Sequence, residues 1–177
     1  MIHVEESKEI KSAGFTLIEL LVVISVIGLL ASVVLVALND ARKKSRDTKR
    51  LADMAQMQKA LDLYYNINNR YPSPNSDSSC SGWDTTADGV FVSALRTAGI
   101  IAQDIKDPSI NASCANYRYY RYGAGTSGCS ANRGDFYVLG VNDMETSGRP
   151  YPQSPGWSCP SRNWQNEFDW VVGKFEK

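Results

Sequence analysis

Histidine is almost missing from this chain: His3 is the only one in 177 residues. Imidazole-based triad, acid–base and metal chemistry would all rest on that one residue. No glycine-rich phosphate loop with its lysine occurs, so nucleotide hydrolysis is not this chain's task. No two cysteines stand in the close C-x-x-C spacing of zinc sites. An excess of either charge is lacking too. The 19 Lys+Arg equal the 19 Asp+Glu, so no overall field points to nucleic acid or an acidic surface. Gly and Pro are absent from Asn39 to Asn69, which removes the usual breakers from that stretch. The reading is of no enzyme, no cofactor and no metal centre.

The four cysteines, Cys80, Cys114, Cys129 and Cys159, are scattered through the second half among Gly, Ser, Asn and Tyr. An even, widely spaced set reads as two disulfides, of undetermined pairing, in an oxidising compartment outside the cytoplasm. The length allows one modest globular domain plus one long accessory element. That element opens with Phe15 to Leu38, an apolar run interrupted by Thr16, Glu19, Ser25, Gly28 and Ser32. At 1.5 Å per residue it reaches across a hydrocarbon core of about 30 Å. No small-residue cleavage site closes the run at its far end, so it is expected to stay in the mature protein.

Beyond Asn39, Leu51, Met54, Met57, Leu61 and Tyr64 recur every three or four residues, the mark of an amphipathic helix whose stripe is covered by the protein's own domain. Joined to the span, it predicts one helix of about 55 residues, ended by the turn residues Asn68-Asn69-Arg70-Tyr71-Pro72. Pro72 to Asp88 reads as loop and Val90 to Ala98 as a short helix. Tyr117–Tyr122 and Phe136–Val141 are aromatic or β-branched runs parted by a Gly/Ser/Asn loop, and Phe168–Phe175 is a further strand candidate. The expected class is α+β: a long N-terminal helix, membrane-spanning in its first half, packed on a small antiparallel sheet.

The segment Lys11-Ser12-Ala13-Gly14-Phe15-Thr16-Leu17-Ile18-Glu19-Leu20 resembles the processing signal of type IV prepilins and pseudopilins. The resemblance implies a peptidase cut between Gly14 and Phe15, methylation of Phe15, and an assembly role for Glu19, which answers the freed N-terminal amine in the filament. It also divides the chain into a leader, 1–14, a transmembrane and assembly half-helix, 15–38, an amphipathic half, 39–70, and an extracytoplasmic domain, 71–177. His3 falls in that leader, with the cationic Lys8 and Lys11. Physically, Gly14 has no Cβ to hinder entry of the backbone into a peptidase. An acid in a membrane helix costs about 2.5–3.5 kcal/mol at the bilayer centre, so Glu19 calls for a partner or for snorkelling to the headgroups. The likeness to major pseudopilins continues from Ala41–Asp47 through Asn69-Arg70-Tyr71-Pro72 to Lys106-Asp107-Pro108. Two departures stand out. The proline that many members carry in the membrane helix is here Val36, which leaves Gly28 as the expected centre of melting on assembly. Asn142, Asp143 and Glu145 are the candidate remnant of a calcium loop, set against an ordinary solvated turn.

Six basic residues, Arg42, Lys43, Lys44, Arg46, Lys49 and Arg50, follow the span directly. The positive-inside tendency would put that flank in the cytoplasm, while the processing signal and cysteines put it outside. The cluster is expected to meet acids such as Asp40, Asp47 and Asp53 on adjacent helices, with DNA phosphates as a further candidate partner. The resemblance implies a structural subunit of a type IV pilus-like filament, held in the inner membrane before assembly into an extracytoplasmic or cell-surface filament. Its implied partners are copies of itself and other pilins, the prepilin peptidase, and the inner-membrane assembly platform with its ATPase. Two alternatives remain: a pseudopilin of a type II secretion system, and a membrane-anchored binding domain that never polymerises.

Overall fold

The computed structural model describes residues 14, 16–75, 80–87, 89–109, 114 and 116–177. The chain divides into a unit that ends at Asp40 and a second unit, Ala41–Lys177. Helix α1, Leu17–Asn68, contributes to both.

In the first unit every described residue is exposed, including Leu17, Ile18, Leu20 and the apolar side chains on to Leu38. This part of α1 is long and apolar enough to cross a membrane, and none of it is buried against protein. The hydroxyls that interrupt it are satisfied locally. Ser25 Oγ donates to the Val22 carbonyl at 2.8 Å and Ser32 Oγ to the Leu29 carbonyl at 2.7 Å, so neither needs an outside partner in hydrocarbon. The helix runs through Gly28 without a break.

In the second unit α1 turns amphipathic. Arg50, Met54, Met57, Ala60 and Leu61 are buried on one face, at the spacing of a single helical stripe. The four-stranded sheet they cover has the order β1-β2-β3-β6, built from β1 (Asp84–Thr85), β2 (Tyr117–Tyr122), β3 (Phe136–Val141) and β6 (Trp170–Phe175). All three pairings are antiparallel, from Tyr117 opposite Val141 to Tyr122 opposite Phe136, and from Phe136 opposite Phe175 to Val141 opposite Trp170. A small second hairpin pairs β4 (Ser158–Cys159) with β5 (Arg162–Asn163).

Because strand side chains alternate, the sheet has a core on each face. Tyr117, Tyr119, Tyr137, Leu139, Val141 and Trp170 pack with Met54, Met57 and Leu61. Phe136, Val138 and Val171 pack oppositely with Trp83, Trp164 and Phe168. The central strand β3 is therefore buried along its whole length.

Two local expectations shift. Helix α2 covers only Ser93–Thr97, because Phe91 and Val92 are drawn into the core and the Val92 N–H donates to Asp84 at 3.2 Å. The stretch read as loop contains β1, whose Asp84 is fully buried and also accepts the Asn75 N–H at 2.6 Å. The cysteines pair as Cys80–Cys114 and Cys129–Cys159, with Cα atoms 5.3 and 5.0 Å apart.

Candidate functional site

The start of α1 is a reciprocal cap. Thr16 Oγ1 accepts the Glu19 N–H at 3.3 Å, while Glu19 Oε2 accepts the Thr16 N–H at 2.9 Å and the Thr16 hydroxyl at 2.8 Å. This T-x-x-E box satisfies donors that a helix start otherwise leaves open. The pattern is visible in the sequence at Thr16 and Glu19, and the pairing with a freed amine expected for Glu19 makes no use of it. The other carboxylate oxygen, Oε1, has no partner among the described residues, and the residue is surrounded by exposed Leu17, Ile18, Leu20 and Leu21. Gly14 is exposed, with open space where a Cβ would stand. Phe15, Lys8, Lys11 and His3 lie outside the described residues.

A second constellation centres on Arg50, only 1% exposed. Its five guanidinium N–H groups are all engaged. Nε and Nη2 form a fork on Asp107 at 2.8 and 3.2 Å, Nη1 reaches Asp47 at 2.7 Å and Glu145 at 2.8 Å, and Nη2 also donates to Ser109 Oγ at 2.6 Å. Arg46 adds a second guanidinium to Glu145. Asp47 in turn accepts the N–H groups of Glu145 and Thr146 at 3.0 and 2.8 Å and the Thr146 hydroxyl at 2.7 Å. The cluster thus pins the 107–109 and 145–146 loops to α1 through charge-assisted bonds.

The carboxyl groups respond as their surroundings require. Hydrogen bonding by Arg46, assisted by Arg50, holds Glu145 at about 2. Burial works against the charged form of Asp47 and of Asp107, but hydrogen bonds from Glu145, Thr146 and Arg50 to the first, and from Arg50 and Ser109 to the second, keep both below the usual carboxylate range. The same partners outweigh the burial that disfavours the Arg50 charge and push its pKa up.

Arg50 belongs to a basic run whose members divide. Lys49 pairs with Asp53 at 2.6 Å and reaches the Lys106 carbonyl at 3.2 Å, so Asp47 and Asp53 are engaged within this chain and are not free for adjacent helices. Arg42, Lys43 and Lys44 are exposed and make no ion pair among the described residues. The sequence signal for Arg50 was its register: 50, 54, 57 and 61 fall on the one buried stripe.

The prokaryotic N-terminal methylation motif matches residues 10–35. The type II secretion system core protein G of Vibrio cholerae is 31% identical over 136 residues, 76% of this chain and 84% of that protein. The chain belongs to the type IV pilin and type II secretion pseudopilin family. The core protein G of Aeromonas hydrophila is 41% identical over 63 residues, 36% of this chain, and the fimbrial protein EcpC of Eikenella corrodens 32% over 102 residues, 55% of this chain. This pilin-family chain spans less than half the length of several such relatives, 44% for that of Aeromonas hydrophila. No solved structure matches it.

In this pilin-family chain the candidate calcium residues are Asn142, Asp143 and Glu145. The residues do not fit the ion. Both oxygens of Glu145 are taken by Arg46 and Arg50, and a guanidinium beside a carboxylate repels a dication. Nor is Glu145 part of a solvated turn, since it is an arm of the Arg50 cluster.

Proposed function

We propose that this chain is a structural subunit of a pilus-like filament, cut between Gly14 and Phe15, methylated on Phe15 and polymerised through the first part of α1. The carrying observation is the wholly exposed apolar stretch from Leu17 to Leu38 with one acid at its start. Such a surface needs lipid or other apolar helices around it, and an acid within it is tolerable when a cation answers it. The freed Phe15 amine supplies that cation in the packed filament, where it meets the Glu19 Oε1, which has no partner among the described residues.

In this reading residues 1–14 are the leader, 15–38 the membrane and assembly segment, 39–70 the amphipathic half-helix and 71–177 the extracytoplasmic domain. The subunit waits in the inner membrane and joins copies of itself and other pilins through an assembly platform and its ATPase. The two disulfides support an oxidising location for the domain. Pairing of Lys49 and Arg50 inside the fold leaves fewer free cations after the span, which weakens the case for a cytoplasmic domain.

A second reading, a type II secretion pseudopilin, is favoured by the alignment with the Vibrio cholerae core protein G; likeness to the Eikenella corrodens fimbrial protein favours a surface pilus. Electron microscopy of cells separates these by whether long surface filaments carry the subunit. Mass spectrometry of the purified product tests processing, with a species starting at methylated Phe15 expected. Glu19→Ala should abolish filaments while the processed subunit stays in the membrane. Filaments at parental level in that variant would show that assembly uses a different contact, and absence of filaments even with the parental Glu19 would leave the non-polymerising anchor.

A further inference from the structure

On the sheet face turned away from α1 lies an open cleft of about 520 Å³, lined by Ser81, Trp83, Tyr120, Tyr122, Thr126 and Arg162 among others. Three aromatic rings form one wall, with centroids 5.7 Å apart for Trp83 and Tyr120, 4.6 Å for Tyr120 and Tyr122, and 6.1 Å for Trp83 and Tyr122. They share the wall because Tyr120 and Tyr122 are two positions apart on β2. The hydroxyls of Ser81, Tyr120 and Thr126 point to unused hydrogen-bonding capacity at this place, since none has a partner among the described residues.

The cleft's charges, by contrast, are spent. Arg162 is held by Glu167 through two 2.7 Å bonds and donates to the Tyr122 hydroxyl at 3.1 Å. Arg121, at the edge, pairs with Asp135 at 2.7 Å and Glu176 at 2.9 Å. Among the described residues no unpaired cation remains there to hold a phosphate or carboxylate, and no unpaired acid to hold a cation. Both rims are fastened. Cys80, disulfide-bonded to Cys114, immediately precedes Ser81; Cys129, bonded to Cys159, follows the turn that carries Thr126. The Ser161 N–H donates to the Ser127 carbonyl at 3.0 Å, which ties the β4–β5 hairpin to that turn. A site whose walls are already fixed loses little freedom on binding.

We propose that this cleft binds a neutral saccharide. Apolar C–H faces of a pyranose ring would stack on Tyr120 and Tyr122, which the buried Trp83 backs, and its hydroxyls would meet Ser81, Tyr120, Thr126 and the Glu167-fixed guanidinium of Arg162. A planar nucleobase would also stack on such a wall, but its phosphates would find no free cation. The site lies wholly within the second unit, so the proposal is independent of polymerisation.

The test uses the full chain in a sugar-free zwitterionic detergent, dodecylphosphocholine. Saturation-transfer-difference NMR and calorimetry would be run with triacetylchitotriose, lactose, maltotriose and mannotriose, and with a heparin tetrasaccharide and an oligothymidylate as charged probes. Saturable binding of at least one neutral probe is expected, weakened about tenfold in Tyr120→Ala by loss of stacking. Tyr120→Phe or Thr126→Val should weaken it about threefold, by loss of one hydrogen bond. Near-UV circular dichroism checks that each variant keeps the fold. Absence of saturable binding for all four neutral probes, parental affinity in both Tyr120→Ala and Thr126→Val, or tighter binding of either charged probe that Tyr120→Ala weakens would overturn the assignment.

Discussion

At the scale of single residues, Glu19 and Arg50 show two ways to keep a charge in an apolar setting. Glu19 is held in the reciprocal cap with Thr16, which satisfies one carboxylate oxygen and leaves the other without a partner among the described residues. Capping and assembly can be separated by mutation. Thr16→Val should weaken the helix start by about 1 kcal/mol yet leave filaments on the cell, visible by immunoblot of sheared fractions, whereas Glu19→Ala removes them. Arg50 is answered within its own chain. Replacing it with Met would leave Asp47 and Asp107 buried without their cation, which should cost about 3–5 kcal/mol. Denaturant unfolding followed by tryptophan fluorescence measures that loss, and a cost under 1 kcal/mol would show that water or lysine replaces the guanidinium.

At the scale of elements, α1 serves two environments with one backbone. Its first part is apolar all round and unburied, and its second part carries a single buried stripe that meets the sheet. The sheet's opposite face depends on close approach at β3 and β6. An added Cβ at Gly140 would stand 2.5 Å from the Phe168 ring, and one at Gly173 would collide with Trp157. Both aromatics lie flat over these glycines because nothing projects beneath them. Gly140→Ala should therefore destabilise the domain by about 1–3 kcal/mol through overpacking, read as a lower thermal midpoint, with Phe168→Leu restoring part of the loss. Unchanged stability in Gly140→Ala would show that the ring moves aside freely.

At the scale of the whole molecule, the ion cluster couples folding to acid. Glu145 sits at about 2 when folded, and Asp47 and Asp107 are also lowered, whereas unfolded carboxyls titrate near about 4. A group with a depressed folded pKa contributes stability above the unfolded value and loses it as pH falls through the folded one. Unfolding free energy should thus hold above about pH 5 and fall between about pH 4 and pH 2. Glu145→Gln should flatten part of that decline in pH-dependent denaturation. A steeper decline in the variant would contradict the sign.

The N-terminal signal, the apolar span, the amphipathic stripe and the three long strands were legible because each is a local pattern along one segment. The T-x-x-E cap was equally local and equally readable. The disulfide pairing, the burial of Arg50 and Asp84, the short strand β1 and the aromatic cleft were not. Each depends on residues far apart in sequence meeting across the sheet or between α1 and its loops, as Arg50 meets Asp107 and Glu145. A run of basic residues looks uniformly solvated until tertiary structure brings acids to some of them. Composition and periodicity determine which segments become helix or strand and which charges are neighbours on one helix, as Lys49 and Asp53 are, while packing decides which charges far apart in sequence are paired, because those pairs follow distance in space.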